Sequence, residues 1–234
     1  MAQEIPAYSQ QMSQECVAIL ANLKTLANPQ NVSAMARFGI NPQGRLGISI
    51  PNLRKIAKAH PNNHHLAQEL WESGIHEARI LAALVDDPLQ VTPQQMDEWA
   101  SEFDSWDVCD QVCMNLFDKT PYAYSKAIQW SSEGETFVKR AGFSLMACLA
   151  VHDKQASDEQ LEAFFPIILK ESIDERNFVK KSVNWALRQI GKRNRHLQTR
   201  ALEIARQMSA LDSKAARWNA RDTIRELSQK TLSS

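Results

Sequence analysis

The segment FVKRAGFSLMACLAV, which opens at Phe137, returns as FVKKSVNWALRQIGK at Phe178, 41 residues later. A period of that length marks a chain built from stacked supersecondary units, each a helix pair too small to bury its own apolar face. Neighbouring copies must then stack for any core to exist. Weaker echoes flank the pair at EARILAALVDD, WDVCDQVCMNLF and KAARWNARDTIREL. Apolar residues recur at three- and four-residue spacing, as in Ile80, Leu81, Leu84 and Val85 and again in Leu145, Met146 and Leu149, which is helical periodicity. With seven glycines and few runs of valine or isoleucine, the chain carries no sheet signal. The expected fold class is all-α, a right-handed solenoid of helical hairpins with a concave binding face.

The period lies near that of HEAT and armadillo repeats, so the hairpins are expected to be HEAT-like. Asp87-Pro88, Thr92-Pro93, Thr120-Pro121 and Asp212-Ser213 read as helix ends and starts rather than domain boundaries. Residues 1–234 are therefore expected to form a single domain, with the first 25 or so a candidate peripheral helix. The exception to the helical pattern is FGINPQGRLGISIPNLRKIAK, where Gly, Asn and Pro mark a loop and Ser49 with Pro51 marks the next helix start.

The polar N-terminus, MAQEIPAYSQQ, has no basic stretch leading into an apolar run, and no window reaches the length of a membrane span. The expectation is a cytoplasmic protein with no membrane partner. The four cysteines, at 16, 109, 113 and 148, sit inside apolar helical patterns and read as buried free thiols. Cys109 and Cys113 at i and i+4 offer two metal ligands, but no His or Cys at suitable spacing supplies two more, so no metal site is expected.

The formal net charge is zero but unevenly spread. Residues 1–132 carry 9 Lys and Arg against 14 Asp and Glu, whereas residues 133–234 carry 18 against 13. The stretch KKSVNWALRQIGKRNRH holds Lys180, Lys181, Arg188, Lys192, Arg193 and Arg195 without an acid, a candidate polyanion footprint. A solvated helix end with cations near its C-terminus fits the same composition. Lys214, Arg217 and Arg221 form a second basic stripe at helical spacing beside Trp218, opposite Ala216, Ala220, Ile224 and Leu227. In the acidic half the basic patch is Arg45 with Arg54, Lys55 and Lys58.

The segment FDSWDVCDQVC, residues 103–113, concentrates the candidate chemistry. Asp104 or Ser105 suits an N-cap, and Asp107 in the first turn is explained by the helix dipole. Asp110 falls past that turn at the margin of the apolar face, sharing an edge with Trp106, where a carboxylate needs water or a cation. Pattern alone fits a functional Asp110 or a merely exposed one. Trp185 likewise fits the core as well as a ligand wall, and Arg140 at a helix start fits a partner for an acid.

Trp106-Asp107-x-x-Asp110, then Arg140 in FVKRAGF, then Trp185 in KKSVNWALR, preceded by ARFGIxxxxxLGIxxPxLR, resembles the AlkD-like DNA alkylation repair glycosylases, whose fold is a solenoid of HEAT-like repeats. The resemblance implies hydrolysis of the N-glycosidic bond of cationic alkylated purines, such as 3-methyladenine and 7-methylguanine, in duplex DNA and without extruding the base. It makes Asp110 the catalytic carboxylate, Trp106 and Trp185 aromatic walls against the lesion-bearing deoxyribose, and Arg140 a partner that positions phosphate or water. The implied enzyme is a cofactor-free monomer whose partner is double-stranded DNA containing alkylated bases, nucleoid-associated when bound. A cationic purine leaves without protonation, so the task is to stabilise an oxocarbenium-like sugar, which a carboxylate and indole faces suit. Two residues depart from the pattern. Phe38 stands where active relatives often carry tyrosine, and Ser105 replaces a second aromatic. A non-catalytic DNA-binding member and a HEAT-type protein scaffold are the alternatives.

Overall fold

Cap residues set where the helices begin. The computed structural model describes residues 12–40 and 44–229, and no strand occurs among them. Ser13, Asn28, Asn63, Thr92, Ser157, Asn194 and Ser213 each accept a backbone N–H of the first helical turn, and Pro29 and Pro93 stand at helix starts where no N–H is needed. Ser49 also occupies an N-cap position with Pro51 in the first turn, although its hydroxyl makes no capping bond. No helix among the described residues is long and apolar enough to cross a membrane.

The chain divides into two compact units, residues 1–86 and 87–234. In the first, α1 (Gln14–Thr25), α3 (Ile50–Ala57), α4 (His64–Glu72) and α5 (His76–Val85) close around Cys16, Leu23, Leu53, Leu66, Leu70 and Leu81, while α2 (Pro29–Met35) buries none of its residues. The expected loop is tied down by one buried side chain. Glu77, 1% exposed at the start of α5, accepts hydrogen bonds from the backbone N–H of Leu46 and Gly47. Gly47 has φ 72°, and a Cβ there would meet Asn28 O at 2.4 Å, so the loop requires glycine at this point.

The second unit comprises α6 (Pro93–Ser101), α7 (Trp106–Asn115), α8 (Ala123–Trp130), α9 (Thr136–His152), α10 (Asp158–Glu162), α11 (Phe165–Glu171), α12 (Asn177–Gly191), α13 (Arg195–Ala210) and α14 (Lys214–Ser228). The two copies of FVK open α9 and α12, which pack along each other, and Phe137 meets its own copy Phe178 with ring centroids 5.4 Å apart. The repeat is thus a packing requirement written twice. In the repeat register Lys181 stands on α12 where Arg140 stands on α9, and Trp185 where Ser144 stands. Helix α9 also packs against α6, α7 and α8, while α12 packs against α13 and α14. The buried face of α14 differs from the expected one. Asn219 and Thr223 are buried and Ile224 is half-buried, because Asn184 of α12 donates to Asn219 O and Thr223 Oγ1.

Close approach of α8 and α9 depends on Gly142, where a Cβ would stand 2.6 Å from Ser131 N and 3.0 Å from Ala127 O. Alanine has the better helix propensity by about 1 kcal/mol. Even so, Gly142→Ala should destabilise the protein by about 1–3 kcal/mol, because backbone rather than a flexible side chain must give way. Urea unfolding reads the difference.

Lys139, 8% exposed on α9, is neutralised by Glu171 at 2.5 Å and Asp174 at 3.2 Å. Burial alone would raise the Asp174 carboxyl, but hydrogen bonds from Arg176 and Lys139 outweigh it and hold the pKa at about 2. A depressed carboxyl stabilises the fold above its unfolded value near 3.8 and loses that contribution as the pH falls towards 2. Asp174→Asn should therefore flatten the acid limb of stability between about pH 4 and pH 2.

Candidate functional site

Helix α7 begins at Ser105 as the N-cap, as expected, yet the Ser105 hydroxyl makes no capping bond and is buried without a hydrogen-bond partner among the described residues. Trp106 is the first helical residue and Asp110 lies one turn on, 9% exposed. Two thiols fix α7 against α9. Cys109 Sγ donates to Phe137 O at 3.6 Å and Cys113 Sγ to Ala141 O at 3.7 Å. Burial pushes the Cys113 thiol well above its ordinary pKa, which suits the S–H donor of that bond.

That register places Asp110 against Arg140, 6% exposed on α9. Arg140 Nε donates to Asp110 Oδ1 at 2.9 Å and Nη2 donates to Oδ2 at 2.7 Å, a two-point pairing. Ser144, one turn along α9, donates its hydroxyl to Oδ1 at 2.8 Å. Arg140 Nη1 reaches across to Phe178 O at the start of α12, 2.7 Å away, so one guanidinium joins α7, α9 and α12. It also lies 5.8 Å from the centre of the Trp106 ring. Burial would lower the Arg140 pKa, but the Asp110 charge and hydrogen bonds raise it above its ordinary value. A carboxylate has about four acceptor positions. Described residues take three, which leaves one on Oδ2 without a described donor, at a carboxylate that retains a small exposed edge.

Asp110, Arg140 and Trp106 are thus brought together, and Arg140 is indeed the partner of an acid. Trp185 stands half-buried on α12, two turns beyond Phe178. Ser144 and the Phe178 carbonyl went unforeseen. The signal for Ser144 was its place four residues after Arg140, which puts both on one face of α9.

The acid-free run from Lys180 to His196 separates into different environments. Arg188 pairs with Glu226 and lies 3.6 Å from Asp222, and Lys192 pairs with the same Glu226. Arg193 donates to the carbonyls of Ala150 and Ala156, at 3.0 and 3.3 Å, closing the end of α9. Lys181 and Arg195 are exposed. Lys180 Nζ lies 5.1 Å from the Trp218 ring centre, on a cleft that Lys214, Arg217 and Arg221 also line. Arg45 is half-buried in the first unit, and Phe38 is 67% exposed there.

An uncharacterised protein of Listeria innocua is 27% identical over 127 residues, which take in 53% of this chain and 57% of that relative. The aligned part therefore spans little more than half the relative's length. A solved structure described as a new family of proteins related to the HEAT-like repeat DNA glycosylases, with affinity for branched DNA structures, superposes with a TM-score of 0.75. It is 19% identical, and the match covers 90% of this chain and 94% of that one, so the two share the HEAT-like repeat fold. Residues 19–227 match the model of a family described as DNA alkylation repair enzyme, and with most of its length inside that match this chain belongs to the DNA alkylation repair family.

Proposed function

We propose that this protein is a monofunctional DNA glycosylase that hydrolyses the N-glycosidic bond of cationic alkylated purines in duplex DNA, working as a monomer without a cofactor or base flipping. The observation that carries this reading is the Asp110 carboxylate, held rigid by Arg140 and Ser144 with one acceptor position of Oδ2 taken by no described residue. That position suits a water attacking the sugar carbon, and the carboxylate charge suits the oxocarbenium formed as the purine departs. Trp106 and Trp185 supply indole faces, and the basic residues of α12 and α14 take the phosphates. A second reading, DNA binding without base release, draws support from the three acceptor positions already taken within the protein. The description of the branched-DNA-binding structure also favours it. Incubation with methylated duplex DNA separates the two. Free 7-methylguanine is the expected product, and tight, salt-sensitive binding without release selects the second reading.

Charge placement divides the basic residues into two sets with different expected behaviour. Lys181, Lys214 and Arg221 are exposed, so their joint replacement by glutamine should flatten the dependence of log K on log salt by up to about three units. Lys192 is committed to Glu226, and Arg193 to the carbonyls of Ala150 at the end of α9 and of Ala156 in the loop that follows. Replacing those two should change that slope by less than about one unit. Titrations of one duplex at several salt concentrations read both slopes.

A further inference from the structure

On the second unit, α12, the end of α13 and the first two turns of α14 line an open cleft of about 680 Å³, bordered by Glu175, Lys180, Lys214, Arg217, Trp218 and Arg221 among others. Its size is that of a small-molecule site. Four cations face one carboxylate, and that carboxylate is already engaged. Glu175 accepts the Ser213 hydroxyl at 3.2 Å and the Ala215 N–H at 3.1 Å, which caps α14. Arg217 is held by Leu211 O and Asp212. Lys214 and Arg221 are exposed, and neither their side chains nor that of Lys180 makes a hydrogen bond or ion pair with any described residue; Lys180 Nζ lies over the Trp218 ring instead.

A lone phosphate would need the cations but not the indole, and an apolar ligand the indole but not the cations. The two together match a nucleotide, with a π-face to stack and a phosphate to pair. Inside an intact duplex each base face is covered by its neighbours, so a tryptophan can stack only where the duplex is interrupted, and an unpaired nucleotide there offers its face most freely. We propose that this cleft holds an unpaired nucleotide of a DNA strand, its base against Trp218 and its flanking phosphates among Lys180, Lys214 and Arg221. This deepens the DNA-acting reading above, on which it rests. It adds a base contact to the α14 cations already assigned to strand phosphates, one that distinguishes interrupted duplexes from intact ones. The Lys180 ammonium, now over the indole, moves to the phosphate as the base takes its place.

The test uses the full chain and undamaged labelled DNA, as an intact duplex and as the same duplex carrying a short single-stranded gap. The wild type should bind the gapped form about tenfold more tightly, the size of one base–aromatic stack. Trp218→Ala should bring that ratio close to one, and Trp218→Phe, which keeps a ring, should retain most of it. Lys214→Gln with Arg221→Gln, both at exposed positions, should lower gapped-DNA affinity and reduce its salt slope by up to about two units. A wild type without preference for the gap overturns the proposal. So does a folded Trp218→Ala protein with the wild-type ratio, or an unaltered slope in the double variant. Deoxyadenosine monophosphate that competes as well as a gapped strand at equal nucleotide concentration would also overturn it, in favour of a free-nucleotide site. Release of 7-methylguanine by the wild type is followed separately. Loss of the gap preference with base release intact sinks only this proposal, and a gap preference without base release sinks only the glycosylase reading.

Discussion

Asp110→Asn should cut release of 7-methylguanine by a hundredfold or more, and the pairing with Arg140 decides how much more. A carboxylate about 4 Å from an oxocarbenium is worth about 4 kcal/mol at an effective dielectric of 20. Arg140, on the other side of that carboxylate and roughly 4 Å farther on, takes back about half. The paired site therefore offers a net of about 2 kcal/mol, and removing the carboxylate charge alone turns this into a penalty of about the same size. The span of about 4 kcal/mol is roughly a thousandfold in rate. The asparagine oxygen can still hold a water, which sets the lower figure of about a hundredfold. Removing both charges with Asp110→Asn and Arg140→Gln should give a double variant about thirtyfold faster than the single one, since the unopposed guanidinium is gone. Undiminished release by folded Asp110→Asn would end the catalytic assignment. A double variant no faster than the single one would restrict Arg140 to orientation.

What the sequence made legible was whatever recurs locally. The FVK echo could be read because each copy opens a helix and places a phenylalanine against the other copy, so one packing constraint acts at two positions. Helix starts were readable in part: Thr92 and Ser213 do accept first-turn N–H groups, whereas Ser49 and Ser105 hold N-cap positions without a capping bond. Asp110 and Arg140 could each be singled out, but not their pairing, because a contact 30 residues apart leaves no local spacing to detect. The basic run from Lys180 to His196 shows the converse. It contains no acid, yet Glu226 and Asp222 of α14 reach Arg188, and Glu226 also reaches Lys192, so part of the apparent footprint is neutralised from a later helix. Trp218 and Lys180 read as separate features of two helices, and only the packing of α12 on α14 makes them walls of one cleft. Buried polar residues escaped for the same reason. Asn219 and Thr223 are inside because Asn184 needs acceptors, and Ile224 yields its expected place.

The largest loss of stability from a single substitution in the site should come from Arg140→Met. Methionine keeps much of the apolar stem and deletes the guanidinium, which donates twice to Asp110 and once to Phe178 O. Asp110, only 9% exposed, is then left with Ser144 as its one remaining side-chain donor, and Phe178 O loses a charge-assisted partner. Stranding one member of a buried pair costs about 3–5 kcal/mol, far above the value of a solvated surface pair. For a chain of this length that lowers Tm by roughly 6–20 °C. The loss should not add to that of Asp110→Asn. With the carboxylate already neutral there is no stranded charge, so the double variant should recover about 2 kcal/mol or more relative to the sum of the single effects. Urea unfolding of the four proteins measures that coupling. A cost under about 1 kcal/mol for Arg140→Met, or additive single effects, would mean that solvent screens the pair and that α7, α9 and α12 are held together by their other contacts.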